Sequence, residues 1–316
     1  MNPAGQLAPD GRLRHLLTLE GLSRATLERL LDRAQALQAD ARGGTALRAR
    51  LAGKAVCNLF FEPSTRTRSS FRLAATRLGA DVLDFDASTS SAKKGETDAD
   101  TLRTLEAMGV HAFVVRHAVD GAVAALAAAA APGTALVNAG DGRHAHPTQG
   151  LLDMLSIRQA KGADFPRLKV AIVGDIRHSR VARSDLQALR ALGVGEVRLC
   201  APAALLPDAD ESAGCRVAAT LAEALDGADV VMTLRLQRER MEEGLVPSPE
   251  EYRRDYGITA ARLRGAARDA VVMHPGPMNR GIEIDADVAD GPQSLVLRQV
   301  ANGVAVRMAV LEELLA

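Results

Sequence analysis

The stretch AVCNLFFEPSTRTRSSFRLAATRLG, residues 55–79, decides the fold class. Its opening, Ala55–Phe61, is a short apolar run that reads as a strand. Its close, Arg68–Leu78, reads as a helix stopped by Gly79, a residue free to take a left-handed turn. A strand leading directly into a helix is the start of a βαβ unit, and the alternation continues. Strands are expected at Asp81–Phe85, Ala112–Arg116 and Ala135–Asn138, with a helix at Asp98–Met108. Further on, strands are expected at Leu168–Val173, Val197–Ala201, Asp229–Thr233 and Asp269–Met273, with helices at Ser184–Leu192 and Leu221–Leu225. This pattern predicts parallel sheets with crossover helices.

Outside this core, Leu22–Gln38 reads as an amphipathic helix with Leu27, Leu30, Leu31, Ala34 and Leu37 on one face and Ser23 as its cap. Pro147–Gln159 reads as a helix joining the two halves, and Val296–Leu315 as a long final helix with a break expected near Gly303. The chain is therefore read as two α/β domains joined near residue 150. No internal repeat is visible, and residues 1–12 read as loose. The uncharged run Gly121–Asn138 is mostly Ala and is interrupted by Pro132-Gly133, so it reads as a helix followed by a strand, not as a membrane span.

Composition narrows the function classes. Among 316 residues, 39 are basic and 39 acidic, giving no net charge. A general nucleic-acid binder would show a basic surplus. Aromatic residues are 3 %, which leaves few platforms for stacking unpaired bases. Cys57, Cys200 and Cys215 fit neither a zinc nor a disulfide spacing, so a reducing, cytoplasmic setting is expected. The first twenty residues hold no apolar core of the kind a signal peptide needs.

Five segments carry the chemistry. In Phe60–Arg68, Ser64, Thr65, Arg66 and Thr67 stand between a strand and a helix, where backbone N–H donors, hydroxyls and a guanidinium suit a phosphate. The plainer reading is a capped helix with surface arginines. His144-Ala145-His146-Pro147-Thr148-Gln149 places a histidine before a helix that starts at Pro147, either to donate to a substrate oxygen or to cap the helix; no ligand set for a metal completes it. His274-Pro275-Gly276-Pro277 follows a strand, where prolines leave carbonyls free to accept from an amide, or simply build a rigid turn. Gly174-Asp175-Ile176-Arg177-His178-Ser179-Arg180 lacks the glycine fingerprint of a dinucleotide fold, but Arg180 and Arg235 both follow strands and together suit a dicarboxylate. Ser90–Thr97, with Lys93 and Lys94, reads as a solvated loop or an anion-binding lid.

Taken together, FFEPSTRTR, SSAKKGET, HPTQG, GDIRHSR with RLQRER, and HPGP, in this order, resemble the aspartate carbamoyltransferase catalytic-chain family from about Arg14 onward. Ornithine-specific relatives typically carry H-C-L-P where this chain has His274-Pro275, and an SMG motif that is missing here. The resemblance implies an aspartate/ornithine carbamoyltransferase-like fold of two parallel-sheet α/β domains. Residues 1–148 would form a carbamoyl-phosphate domain, 149–293 an aspartate domain, and a helix at about 294–316 would return to the first. It implies no cofactor and no metal, no nucleic acid and no membrane. It also implies a homotrimer with shared active sites, within reach of a larger assembly with a dihydroorotase-like chain. Three departures stand out: Gly276 where some members have Leu, Ala118 where some have Pro, and a longer stretch before Leu16.

By motif position the resemblance assigns Ser64, Thr65, Arg66, Thr67, Ser90, Arg116, His146, Gln149, Pro275, Gly276 and Pro277 to carbamoyl phosphate, and Lys94, Arg180, Arg235 and Gln237 to aspartate. Arg66, Thr67, Lys94, Arg116 and His146 are the expected catalytic set. The implied reaction is direct attack of the aspartate amine on the carbamoyl carbon, with charge stabilised on the carbonyl oxygen and departing phosphate. Closure of the two domains is implied because the substrates lie on different ones. The rival readings are another amine acceptor such as ornithine, which would need a carboxylate for its second amine, and a non-catalytic subunit of the same fold.

Overall fold

The computed structural model describes residues 5–40, 44–86, 96–237 and 248–316. The chain divides into two compact units, residues 1–152 with 301–316, and residues 153–300. Both are parallel-sheet α/β units.

The first unit holds β1 (Ala55–Phe60), β2 (Asp81–Asp86), β3 (Ala112–His117) and β4 (Ala135–Asp141). They pair in parallel in the order β2-β1-β3-β4. Its helices are α1 (Arg24–Asp40), α2 (Gly44–Arg48), α3 (Thr65–Leu78), α4 (Asp98–Ala107) and α5 (Ala122–Ala129), followed by α6 (Pro147–Lys161), which runs on past residue 152. β1 and β3 are buried along nearly their whole length, as strands covered on both faces are, whereas the edge strand β2 carries Asp81, Asp84 and Asp86. Cys57, Leu59, Phe113 and Val115 pack with Leu102 and Leu105 of α4 and Val123 and Leu126 of α5. Phe71, Ala74, Ala75 and Leu78 bury one stripe of α3.

The open edge of β4 is covered by the N-terminal segment. Leu16 N–H donates to Leu136 O, and Asn138 N–H donates to Leu16 O, both at 2.8 Å. The buried ring of His15 takes the Leu136 N–H at Nδ1, at 3.1 Å.

The second unit holds β5 (Lys169–Val173), β6 (Glu196–Cys200), β7 (Arg216–Val217), β8 (Val230–Thr233) and β9 (Val271–Met273), all parallel, in the order β7-β6-β5-β8-β9. Its helices are α7 (Arg180–Leu192), α8 (Leu221–Leu225), α9 (Pro249–Tyr256), α10 (Ala260–Leu263) and α11 (Ala286–Ala289). The final helix, α12 (Val296–Leu315), begins in this unit and continues into the first. Within the first unit Glu312 of α12 accepts from Arg33 at 2.5 and 2.8 Å and from Arg50 at 2.5 Å.

Several boundaries differ from the sequence expectation. Helix α3 starts at Thr65, not Arg68, and α7 at Arg180, not Ser184. Both earlier starts draw polar turn residues, Thr65 to Thr67 in α3 and Arg180 in α7, into the first helical turn. Helix α12 is unbroken at Gly303, which costs about 1 kcal/mol relative to Ala in an isolated helix. Tertiary packing overrides that cost, since Asn302, Ala305 and Val306 around it are buried. The Ala-rich run becomes α5, eight residues long, and no described helix is long and apolar enough to cross a membrane.

Candidate active site

Each sheet reverses its strand order beside its first strand, between β1 and β3 and between β5 and β8. In open α/β sheets, ligands bind beyond the C-terminal ends of the strands at such a point. Ser64–Thr67 follow β1 and Arg116 lies in β3 on the two sides of the first point, and Arg180 follows β5 and Arg235 and Gln237 follow β8 on the two sides of the second, whereas His146, Gln149 and Pro275–Pro277 follow the edge strands β4 and β9.

In the first unit, Thr65, Arg66 and Thr67 are the first three residues of α3, and Ser64 is its N-cap, extended at φ −161° and ψ 95°. The Ser64 hydroxyl makes no capping bond to the helix. No acid stands in the first turn, so the positive end of the helix dipole is not neutralised from within. Arg66 is exposed and Thr67 is buried.

Arg116, at the end of β3, lies opposite Phe60 in the sheet and is largely buried. Its Nη2 donates to Glu62 Oε1 at 2.9 Å and its Nη1 to Ala139 O at 3.1 Å. One guanidinium thus fastens the residue after Phe61 to the tail of β4.

Beyond β4 the buried carboxylate of Asp141 organises the next turn. It accepts from Asn138 Nδ2 at 2.7 Å, Gly121 N–H at 2.9 Å and Ala145 N–H at 3.1 Å, and it meets the His144 ring at 3.1 Å. Burial alone would raise its pKa, but the His144 and Asn138 contacts hold it below the usual carboxylate value. The turn delivers His146 to the head of α6, where its carbonyl accepts from Gln149 N–H at 2.9 Å. Pro147 is the first helical residue, and Gln149 is buried in the first turn.

In the second unit, Arg180 opens α7 and is buried, with Ser179 as cap accepting from Ala182 N–H at 3.1 Å. Arg235 and Gln237 follow β8 and are half-buried. Asp175 joins these two segments. Its Oδ1 accepts from His178 N–H at 3.2 Å and meets the His178 ring at 2.8 Å, while its Oδ2 accepts from Gln237 N–H at 3.3 Å. Gln237 Nε2 donates to His178 O at 3.1 Å. Burial raises the Asp175 pKa, against the opposing pull of His178.

After β9, the turn Pro275-Gly276-Pro277 is built on His274. The buried His274 ring accepts Gly276 N–H at Nδ1, at 2.8 Å, which leaves Nε2 as the protonated nitrogen facing Glu283 Oε1 at 3.3 Å. Gly276 has φ +64°, a left-handed conformation that explains a glycine at this place.

Ser90 and Lys94 lie outside the described residues. The sequence reading missed Glu62, Asp141 and Asp175 as organisers. A usable signal existed for two of them: Asp141 and Asp175 each follow a glycine at the end of an apolar strand.

Two family models match the chain. Residues 14–159 match the aspartate/ornithine carbamoyltransferase carbamoyl-P binding domain, and residues 167–314 match the Asp/Orn binding domain of the same family. The chain is 71% identical over 310 residues to an aspartate carbamoyltransferase catalytic subunit of Xanthomonas campestris pv. campestris (strain B100), with 98% of each chain covered. It is 68% identical over 313 residues to that of Stenotrophomonas maltophilia (strain R551-3), with 99% of each covered. Among solved structures, aspartate transcarbamoylase from Trypanosoma cruzi in complex with carbamoyl phosphate and aspartate matches with a TM-score of 0.85 at 34% identity, covering 96% of both chains. Ornithine carbamoyltransferase from Thermus thermophilus matches with a TM-score of 0.84 at 27% identity, covering 96% of this chain and 99% of that one. The chain belongs to the aspartate/ornithine carbamoyltransferase family.

Proposed function

We propose that this chain transfers the carbamoyl group of carbamoyl phosphate to the amine of L-aspartate, giving N-carbamoyl-L-aspartate and phosphate, a step of pyrimidine synthesis. The observation that carries the reading is the 71% identity, over 98% of both chains, to a protein named for this activity. The geometry of each unit supports it.

Ser64, Thr65, Arg66 and Thr67, at the start of α3, hold the phosphate with backbone N–H groups, hydroxyls and one charged fork. Thr67, Arg116 and His146 donate to the carbamoyl oxygen as the tetrahedral species forms, and Gln149 completes that pocket. Carbonyls of the Pro275–Pro277 turn accept from the carbamoyl amide. Arg180 and Arg235 bind the two carboxylates of aspartate, assisted by Gln237. Arg66 stabilises the charge that moves onto the departing phosphate. Catalysis is positioning and electrostatics, without a covalent enzyme intermediate; good positioning alone contributes roughly 7–11 kcal/mol in favourable cases.

The active unit is a homotrimer in the cytoplasm, with Ser90 and Lys94 supplied by a neighbouring copy, and a dihydroorotase-like chain is a partner in a larger assembly. The testing experiment is product formation by the purified chain with carbamoyl phosphate and either L-aspartate or L-ornithine, alongside its mass in solution. Carbamoyl-aspartate from a trimer supports the reading. Carbamoyl-ornithine discredits the arginine pair as a diacid clamp, and turnover by a monomer removes the shared site.

A further inference from the structure

Two carboxyl groups with no place in the mechanism above are fully buried in the second unit. Asp153 lies on α6 and Asp185 on α7, and both are 0 % exposed. The Asp153 side chain lies beside that of Asp185 and acts on it directly. Two ionised carboxylates cannot share a dry contact, so one of the pair keeps a proton. Asp153 Oδ1 already accepts from Gln299 Nε2 at 2.7 Å. Neither oxygen of Asp185 meets a donor among the described residues. Asp185 is therefore the member that carries the proton and donates it to Asp153. Burial, and the charge of Asp153 beside it, push the Asp185 pKa well above the ordinary carboxylate range.

The chain of bonds leads somewhere specific. Gln299 is buried, and its Oε1 accepts from His274 N–H at 3.0 Å. His274 in turn shapes the Pro275–Pro277 turn through the bond from Gly276 N–H to its ring. With its amide oxygen held by His274 and its amide nitrogen by Asp153, Gln299 cannot flip without losing both bonds. On the other side, Glu283 Oε1 meets both His274 Nε2 and Asn279 N–H.

We infer that Asp185 and Asp153, linked by one shared proton, act through Gln299 as positioning residues for the Pro275–Pro277 turn. Its consequence for catalysis rests on the proposed role of that turn in holding the carbamoyl amide. The brace itself does not.

The test uses the full chain and four proteins: wild type, Asp185→Asn, Asp185→Ala and Gln299→Ala. Asparagine keeps an N–H where the protonated acid had its O–H; alanine keeps neither. Two readouts are taken: amide hydrogen exchange in the peptide containing His274 and Gly276, and KM for carbamoyl phosphate against KM for aspartate. Asp185→Ala and Gln299→Ala are expected to speed exchange and raise KM for carbamoyl phosphate on the order of tenfold, the fold-change of losing one buried hydrogen bond to a charged group. Aspartate KM should move much less, and Asp185→Asn should restore both readouts toward wild type.

Asp185→Asn behaving like Asp185→Ala overturns the shared proton. Unchanged exchange in Gln299→Ala overturns the brace. If Asp185→Ala does not fold, the contrast between Asp185→Asn and Gln299→Ala decides the matter. A wild type without carbamoyl-aspartate turnover would sink the proposed function, while the exchange measurements would still judge the brace.

Discussion

Arg116 reaches back from the end of β3 to Glu62, two residues beyond β1, at 2.9 Å, and both side chains are largely withdrawn from water. Under the proposed role of Arg116 at the carbamoyl oxygen, this pair serves to aim the guanidinium. Removing Glu62 leaves Arg116 charged but less constrained. Glu62→Ala is expected to lower kcat/KM for carbamoyl phosphate by about tenfold, and Arg116→Ala by about 10²–10³-fold, the range seen when one oxyanion donor is removed. Steady-state kinetics with saturating aspartate check the order. Equal losses in the two variants would mean that Glu62 does more than orient.

Arg66 stands exposed in the first turn of α3. Arg66→Ala is expected to cut turnover by about 10²–10³-fold. Its thermal midpoint should stay near wild type, as for surface substitutions within about 0.5 kcal/mol. Near-normal turnover at saturating substrates would remove Arg66 from the mechanism.

The proposed sharing of the site between copies makes a distinctive prediction. Arg66→Ala and Lys94→Ala chains, each inactive alone, should regain partial activity when mixed, because some sites in hybrid trimers receive both intact residues. Activity assays on purified hybrids test this, and no recovery in confirmed mixed trimers counts against sharing.

His15 gives the fold a pH dependence. Burial, aided by the nearby charge of Arg14, lowers its pKa from 6.5 to about 4. Between those values the unfolded chain binds the proton more readily than the folded one. Its contribution is therefore fully present above pH 6.5 and is lost as pH falls toward 4. Protonation would also end the bond in which His15 accepts Leu136 N–H on the β4 edge. The thermal midpoint should decline over this window, and less steeply in His15→Gln. Parallel slopes for the two proteins would exclude His15 as the cause.

Gly79 closes α3 at φ +89°, and a Cβ there would overlap the carbonyl oxygen of Arg48. Backbone strain and overlap act together, so Gly79→Ala should destabilise by at least about 2 kcal/mol. Denaturant unfolding measures it. A loss below about 0.5 kcal/mol would mean that Arg48 shifts freely.

Much of this molecule was legible in its sequence, and the exceptions share a cause. Strands β1, β3, β5 and β8 are continuous apolar runs because both sheet faces are covered, and such runs are visible without a structure. The stop at Gly79 and the start at Pro147 are local signals too. The beginnings of α3 and α7 were hidden because Thr65 and Arg180 belong at once to a ligand-type turn and to a helix. The contacts that Glu62, Asp141, Asp175 and Gln299 make were hidden for another reason. Their partners Arg116, Gly121, Gln237 and His274 lie between 20 and 62 residues away in sequence, and only the sheet topology brings them together.

The course of α12 also bears on how the protein is made. Residues 153–300 form a unit complete in one continuous stretch, whereas the first unit needs residues 301–316 as well. Ala305, Val306, Met308, Ala309, Val310 and Leu311 are buried, and Glu312 takes Arg33 and Arg50. The first unit therefore joins residues that are far apart in sequence, and its packing against α12 is a non-local contact of the kind that is made late in folding.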